Sequence, residues 1–191
     1  MKVVINLFFL SALIIGIASC GGVKNTTTEA SGNPTMSMES PGSITFAAAN
    51  NRYNANGTFN SWRFTDVKMK SDNIETLSAN LEIDLASISE KSDKLTSHLK
   101  SADYFNVAAF AKANITISNV QSNGGDAYTA DMELSMMGKS QKLVTEFVAT
   151  GKQPIRVKGT ATVDRSIFGI GVDNTGVPSG IVVSFDTALP N

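Results

Sequence analysis

The chain has little of what metal sites, disulfides and nucleic-acid interfaces require. Its 191 residues include one cysteine and one histidine, and only 17% are charged, with a net charge of −1. A single cysteine excludes an internal disulfide and any zinc site built from several cysteines. With one histidine, and no carboxylate motif to assist it, no metal and no cofactor are predicted. Lysines and arginines are scattered, so the basic face that binds nucleic acid is missing.

The N-terminal 19 residues have the layout of a signal peptide. Lys2 supplies a positive start, and residues 3–17 are almost all apolar, in a run too short for a comfortable membrane span. The ending Ile-Ala-Ser before Cys20 resembles the bacterial lipobox, which implies cleavage before this cysteine and its acylation. The alternative is an ordinary signal peptide with a cysteine there by chance.

Residues 20–42 are rich in Gly, Thr, Ser, Asn and Pro and show no apolar period. Such a segment cannot bury enough apolar surface to offset the entropy of ordering it. We predict a flexible tether that joins a lipidated Cys20 to a folded domain at residues 43–191.

Apolar and polar residues alternate in short runs over most of that domain. The clearest run covers residues 79–88, where Leu81, Ile83 and Leu85 share one face. Similar runs cover residues 44–48, 58–67, 113–120, 128–136, 143–147, 155–163 and 181–185. About eight antiparallel strands are therefore predicted, each joined to the next by a short connection.

Two details are predicted in the second run. The dipeptide Asn56-Gly57 indicates a turn that precedes it. The spacing of Phe59, Trp62 and Phe64 breaks strict alternation, which indicates a β-bulge among them.

One segment between the strands has helical periodicity instead. Leu95 and Leu99 are four residues apart among charged neighbours, which predicts a short amphipathic helix. Ser92 is the predicted N-cap, and Asp93 lies in the first turn, where a carboxylate interacts favourably with the helix dipole. We expect this helix to act as a plug or lid on the β-structure.

Together these elements predict an all-β fold with one short helical insert. Sequential hairpins close most economically into an eight-stranded antiparallel barrel, since closure removes the exposed edges. A barrel of this size holds packed side chains or one small ligand. A two-sheet sandwich is the competing architecture.

Four motifs, in order and at suitable spacing, carry a resemblance to a known family. They are Gly-Ser-Ile-Thr-Phe at residues 42–46, Gly-Thr-Phe at 57–59, His-Leu-Lys-Ser-Ala-Asp-Tyr-Phe-Asn at 98–106 and Arg-Ser-Ile-Phe-Gly-Ile at 165–170. Together they resemble the YceI family of lipocalin-like barrels from the bacterial periplasm. The resemblance covers residues 43–185 and implies a barrel that encloses a long isoprenoid or fatty-acyl chain.

The residues predicted to contact this ligand are apolar. Each could simply belong to a packed core, whereas the resemblance favours a cavity, and flexible methionines suit a variable apolar guest. The predicted ligand-binding set is Phe46, Phe59, Trp62, Leu81, Ile83, Leu85, Phe105, Phe110, Ile115, Ile117, Met132, Leu134, Met136, Phe147, Val157 and Phe168.

His98 is the one residue that suggests an enzyme. Catalysis by histidine needs a nucleophile or an orienting carboxylate, but Asp93 and Asp103 lie off its helical face, and no Gly-x-Ser-x-Gly elbow is present. We expect no enzymatic activity and a hydrogen-bonding role for His98, either fastening the helix to the barrel or touching a ligand's polar end.

The predicted function is that of a membrane-tethered binding protein in the bacterial cell envelope. It would sequester or carry a long-chain lipid or isoprenoid, with its domain in the periplasm or at the cell surface. The alternative is a structural or partner-binding lipoprotein with a filled barrel. Expected partners are the lipid ligand and the membrane, the latter through Cys20; a homodimer is compatible with the sequence.

Overall fold

The computed structural model describes residues 42–49, 54–173 and 176–190. Ten strands and two short helices follow one another along the chain. In chain order they are β1 (Gly42–Ala49), β2 (Asn54–Phe59), β3 (Trp62–Lys70), β4 (Asn73–Asp84), β5 (Ile88–Glu90), α1 (Asp93–Lys100), β6 (Lys112–Gly124), β7 (Ala127–Met136), β8 (Lys139–Thr150), β9 (Arg156–Asp164), α2 (Arg165–Phe168) and β10 (Gly180–Ala188).

All ten strands belong to one antiparallel sheet. Their order is β3-β4-β6-β7-β8-β9-β10-β1-β2-β5, so β3 and β5 are its terminal strands. The sheet curls into a half-barrel with apolar side chains on its inner face. The predicted all-β, lipocalin-like fold is confirmed, with ten strands in place of eight.

The predicted turn at Asn56-Gly57 is wrong. Both residues lie within β2, opposite Ala47 and Phe46 of β1. A Cβ at position 57 would overlap the ring of Phe46 and lie 2.6 Å from the carbonyl oxygen of Ser89. Glycine is therefore needed at this position because the neighbouring strands approach closely. A local sequence pattern cannot distinguish this use of glycine from its use in a turn.

The single strand predicted over residues 58–67 is divided between two strands, β2 and β3. Asn60 and Ser61 separate β2 from β3, which explains the irregular spacing of Phe59 and Trp62. The pairing of β3 with β4 has two register shifts further on, between Phe64 and Asp66 and between Lys68 and Lys70. The predicted bulge is thus displaced toward the middle of β3.

The run predicted over residues 79–88 also divides. After β4 the chain forms a 3-10 turn at Leu85–Ser87, because the Asp84 side chain caps it by accepting a hydrogen bond from the Ala86 amide. Ile88 then begins the short strand β5, which pairs with β2.

Helix α1 forms as predicted. The Ser92 hydroxyl accepts a hydrogen bond from the Leu95 amide at 3.4 Å, Asp93 lies in the first turn, and Leu99 is buried. Helix α2 was not predicted, since four residues are too short for an apolar period. It begins after Asp164, whose carboxylate accepts hydrogen bonds from the amide and hydroxyl of Ser166.

The two ends of the barrel differ. At one end, which we call the base, lie the β3–β4, β6–β7 and β8–β9 turns, the start of β1 and the end of β10. Buried side chains of Ile74, Val120, Ile155 and Leu189 fill it. At the other end lie α1, α2 and the segments that follow each of them. None of the helices within the described ranges is long and apolar enough to cross a membrane.

Candidate functional site

The inner face of the sheet surrounds a cavity of about 430 Å³. Every strand except β5 contributes to its wall, and α1 and the segments after α1 and α2 cover the end opposite the base. A volume of this size lies within the range of small-molecule sites.

The cavity wall is almost wholly apolar. Among the described residues that line the cavity, Arg165 is the one that carries a full charge, and none is an aspartate, glutamate or lysine. The other polar or titratable residues of the wall are His98, Tyr104 and Thr187. An apolar ligand can therefore bind along most of this surface without removing water from charged groups.

The structure places fourteen of the sixteen predicted residues on the cavity wall. Phe110 and Phe168 are elsewhere: Phe110 is 36% exposed on the outside, and Phe168 is buried in the core behind the wall. Contact with a ligand stays a prediction for those on the wall: Phe46, Phe59, Trp62, Leu81, Ile83, Leu85, Phe105, Ile115, Ile117, Met132, Leu134, Met136, Phe147 and Val157.

Sequence reasoning missed several wall residues. Those on strands have the inward alternation and could have been found from it: Ile44, Phe64, Leu77, Ala161, Val163, Leu143, Ile181, Val183 and Phe185. Tyr104, Ile170 and Val177 come from irregular segments after the helices, where no period identifies the inward side.

Side chains at the helix-covered end form a contiguous polar group. The rings of His98 and Tyr104 are tilted against each other, with centroids 4.4 Å apart. His98 lines the cavity and is also exposed to solvent, so the cavity meets solvent here, and we call this end the mouth. The His98 ring makes no hydrogen bond within the described residues. Its predicted roles, fastening the helix to the barrel or touching a ligand's polar end, both stay predictions.

Arg165, the first residue of α2, binds the backbone of the segment that follows this helix. Its Nε donates to the Pro178 carbonyl at 2.9 Å and its Nη2 to Val177 at 2.8 Å. Its Nη1 donates to the carbonyls of Ile170 and Gly171 at 2.7 and 2.5 Å. Because the guanidinium fork satisfies four carbonyls at once, it holds both ends of the segment between α2 and β10 beside the cavity.

The region after α1 is held against the same segment. The Gly171 amide donates to the Asp103 carbonyl at 2.9 Å, and the Phe105 amide donates to Leu99 at 3.0 Å. The Phe105 ring packs edge-on against Phe59, with centroids 5.9 Å apart. The mouth is therefore built from two segments, residues 101–107 and 170–178, joined to each other by a backbone hydrogen bond. Among the described residues, no three acidic, cysteine or histidine side chains are placed to hold a metal ion.

A curled antiparallel sheet around an apolar cavity, covered at one end by a short helix, defines a lipocalin-like β-barrel protein. The profile of the YceI-like domain matches residues 36–189. The chain therefore belongs to the YceI-like family, as the sequence motifs had indicated.

Solved structures share the fold at low sequence identity. BcnA of Burkholderia cenocepacia is 18% identical with a TM-score of 0.71, and the match covers 78% of this chain and 96% of that one. The Campylobacter jejuni YceI protein is 14% identical with a TM-score of 0.60, covering 71% and 84%. A polyisoprenoid-binding domain from Saccharophagus degradans, implicated in plant cell wall breakdown, is 12% identical with a TM-score of 0.60, covering 79% and 97%. No curated protein matches the sequence.

Proposed function

We propose that this protein is a membrane-tethered binding protein that sequesters or carries a long apolar chain, an isoprenoid or fatty-acyl lipid, inside its barrel. The observation that carries the proposal is the cavity of about 430 Å³ with an apolar wall that runs from the mouth toward the base. The titratable and charged side chains of this wall are confined to the mouth, and the rest of it matches an alkyl or prenyl chain.

The energetics favour such a guest. Burying about ten methylene groups contributes roughly 8 kcal/mol before the costs of association and ordering. Met132 and Met136 add adaptable thioether side chains to the wall. Because none of this binding depends on a charged contact, chain length should influence affinity more than head-group chemistry.

The neighbouring structures add a second line of support. The Saccharophagus degradans domain with the same fold is described as polyisoprenoid-binding. At 12% identity the similarity shows a shared fold only. That this chain binds the same class of ligand is part of the proposal.

The tether and the location are further parts of the proposal. Cys20 and the signal-like segment lie outside the described residues, as do most of residues 20–42. The lipobox-like ending supports a lipid anchor at Cys20 and a place in the bacterial cell envelope, in the periplasm or at the cell surface. We propose no enzymatic role, because within the described residues the His98 ring packs against Tyr104 and no carboxylate or hydroxyl is hydrogen-bonded to it; the Ser101 hydroxyl donates to the backbone carbonyl of His98 instead.

A filled barrel with a structural or partner-binding role remains the rival. It requires side chains to occupy the interior at the density of a normal core. The cavity volume weighs against it, since large apolar voids are rare in packed cores.

Co-purification tests the proposal. The chain is expressed with its own N-terminal segment, extracted from membranes in mild detergent and analysed by native mass spectrometry. We expect an additional apolar mass, released by organic solvent, and saturable uptake of a fluorescent fatty-acyl or polyprenyl probe afterwards. A dry protein that takes up neither probe would refute the binding function and support the filled-barrel rival.

A further inference from the structure

Apolar side chains are exposed together around the mouth of the barrel. Residues 108–111, Ala-Ala-Phe-Ala, form a continuous exposed run in the segment between α1 and β6. Ile167 on α2 is 39% exposed and Val172 after it is 52% exposed. Phe110, Ile167 and Val172 are half of the large hydrophobic residues exposed in the described chain, and all three lie at this end.

Two of these residues lie next to residues of the cavity wall. Val172 follows Gly171, where an added Cβ would lie 2.8 Å from the Tyr104 ring of the wall. Phe110 lies in an outer groove with the Met137-Gly138 turn, and Met136 lines both this groove and the cavity. We call the exposed set Ala108, Ala109, Phe110, Ala111, Ile167 and Val172 the rim.

Val144, an exposed apolar residue on the side of the barrel, has a different setting. It lies on β8 and is 73% exposed, more than Phe110, Ile167 or Val172. Its outer-face neighbours along the strand are Lys142 and Glu146, and Asp131 faces it from β7. An apolar residue surrounded by charges is ordinary surface, whereas a run of apolar residues around a cavity opening marks a contact surface.

We propose that the rim docks onto a lipid bilayer, so that an apolar chain passes between membrane and cavity without crossing water. The transfer of an apolar chain rests on the proposed function. Docking itself is a separate property of the rim. In the docked state Phe110, Ile167 and Val172 enter the boundary between head groups and acyl chains, as the apolar faces of interfacial segments do.

The area of the rim favours lipid over a second copy of the chain. Three partly exposed large side chains and three alanines present on the order of a few hundred Å², well below the roughly 800 Å² per partner of a stable protein interface. A bilayer needs no complementary surface, so a small apolar rim suffices. Lys139, whose Nζ lies 3.7 Å from the position that a Cβ at Gly169 would occupy, can reach lipid phosphates with its long side chain.

The position of the proposed tether permits this orientation. β1 begins at the base, so the mouth lies one barrel length from the point where residue 42 enters the fold. The longest strand has 13 residues, about 44 Å when extended. Residues 20–41 can span about 75 Å. An anchor at Cys20 can therefore hold the protein while its mouth faces the same membrane.

Site-directed spin labelling tests the docking. The full chain is reconstituted in phosphatidylcholine vesicles with a nitroxide on Phe110→Cys or Val172→Cys, and on Val144→Cys as the matched exposed control. The unsubstituted chain, which carries only Cys20, is the blank. We expect labels at 110 and 172 to show a several-fold higher ratio of oxygen to nickel-chelate accessibility than the label at 144. Equal, water-like ratios at all three positions would overturn the inference.

A transfer assay keeps this outcome separate from that of the proposed function. Phe110→Asp and Val172→Asp should slow the uptake of a fluorescent chain from vesicles several-fold, while uptake from detergent solution and uptake by Val144→Asp stay as in the parent. If the parent takes up chains but both rim variants take them from vesicles at the parental rate, docking is wrong and binding stands. If the parent takes up no chain, the proposed function fails, and the spin-label ratios still decide whether the rim docks.

Discussion

The ring of Tyr104 lies against the backbone of Gly171, so that a Cβ on this glycine would come within 2.8 Å of the ring. Gly171 also donates its amide to Asp103 and accepts a hydrogen bond from Arg165 through its carbonyl. One residue without a side chain thus joins the two segments that form the mouth. The closure of the cavity depends on a contact that any larger residue would disturb.

Gly171→Ala should open this contact. The added methyl group forces the Tyr104 ring to move, and the backbone has φ of 54°, which strains any L-residue. We expect a loss of about 2–4 kcal/mol in the free energy of unfolding, from overpacking and left-handed strain together. Urea denaturation measures it.

Gly169→Ala is the control for that strain. Its φ is 80°, but the nearest atom to an added Cβ is Lys139 Nζ at 3.7 Å. This variant should lose only the backbone part, about 1–2 kcal/mol. Equal losses for both glycines would mean that the ring contact contributes nothing.

Leu134 distinguishes a hollow barrel from a packed one. It is buried on the cavity wall between β6 and β8. Leu134→Ala widens existing space, so we expect less than the roughly 2–5 kcal/mol that truncation in a core costs. Leu134→Trp should fold and block chain uptake. Melting curves and probe uptake measure both effects.

Ile88 provides the matched core position. It is 1% exposed in the same hydrophobic cluster and does not line the cavity. Ile88→Ala should cost about 2–5 kcal/mol and Ile88→Trp should be more damaging than Leu134→Trp. If Leu134 behaves like Ile88 in both substitutions and the parent binds no chain, the cavity has no binding role.

Much of this architecture could be predicted because alternation and capping are local signals. The inward faces of β4 and β7 follow from period two, and Ser92 identifies the start of α1 by its side chain alone. The Asn56-Gly57 turn failed for a physical reason: its glycine is required by Phe46, a residue eleven positions earlier in the sequence and opposite it in the sheet. Such a requirement exists only once the strands are paired.

The mouth was the least predictable part of the site. Arg165 appeared in the sequence as part of a family-like motif, but its four carbonyl partners lie five to thirteen residues further on, in an irregular segment. Phe110 was expected in the cavity because it is aromatic and follows the helix. It lies outside because the chain turns at Asn106, whose carbonyl accepts hydrogen bonds from the amides of Ala109 and Phe110.

Thr145→Val should stabilise the protein. The Thr145 side chain faces inward on β8, is 1% exposed, and its hydroxyl has no hydrogen-bond partner among the described residues. Valine has the same shape without the buried polar atom, so we expect a gain of about 1 kcal/mol and a melting temperature about 2–4 °C higher. Thr187→Val is the control, since that buried hydroxyl donates to the Ala188 carbonyl at 3.2 Å. A gain at position 187 equal to that at 145 would argue against the unpaired hydroxyl as the cause.

The ionised Glu82 carboxyl should contribute to the free energy of unfolding, and this contribution should be lost in acid. The hydrogen bond from Lys112, at 2.9 Å, together with Arg63 at 2.8 Å, lowers the pKa of the Glu82 carboxyl in the folded state. The folded protein therefore holds the charged form more strongly than the unfolded chain, whose glutamates titrate near pH 4.3. The stabilisation is present above that pH and is lost as the pH falls through the lowered pKa.

Glu82→Gln measures this contribution. The variant should melt lower than the parent at pH 7, by an amount corresponding to less than about 1 kcal/mol for a partly solvated pair, and the difference should be smaller at an acidic pH below the ordinary range of glutamate. Glu133→Gln is the control, because Glu133 is exposed on β7 and has no ion pair within the described chain. A melting difference at Glu82 that is the same at both pH values would contradict the assignment.

The base carries both ends of the described domain, since Gly42 at the start of β1 pairs with Thr187 near the end of β10. An affinity tag, a fusion partner or a surface linker added at either end therefore leaves from the side opposite the opening. A domain immobilised through either terminus would present its opening to the solution. Sensor chips and display formats for screening apolar compounds can therefore attach the domain through either end without blocking access to the cavity.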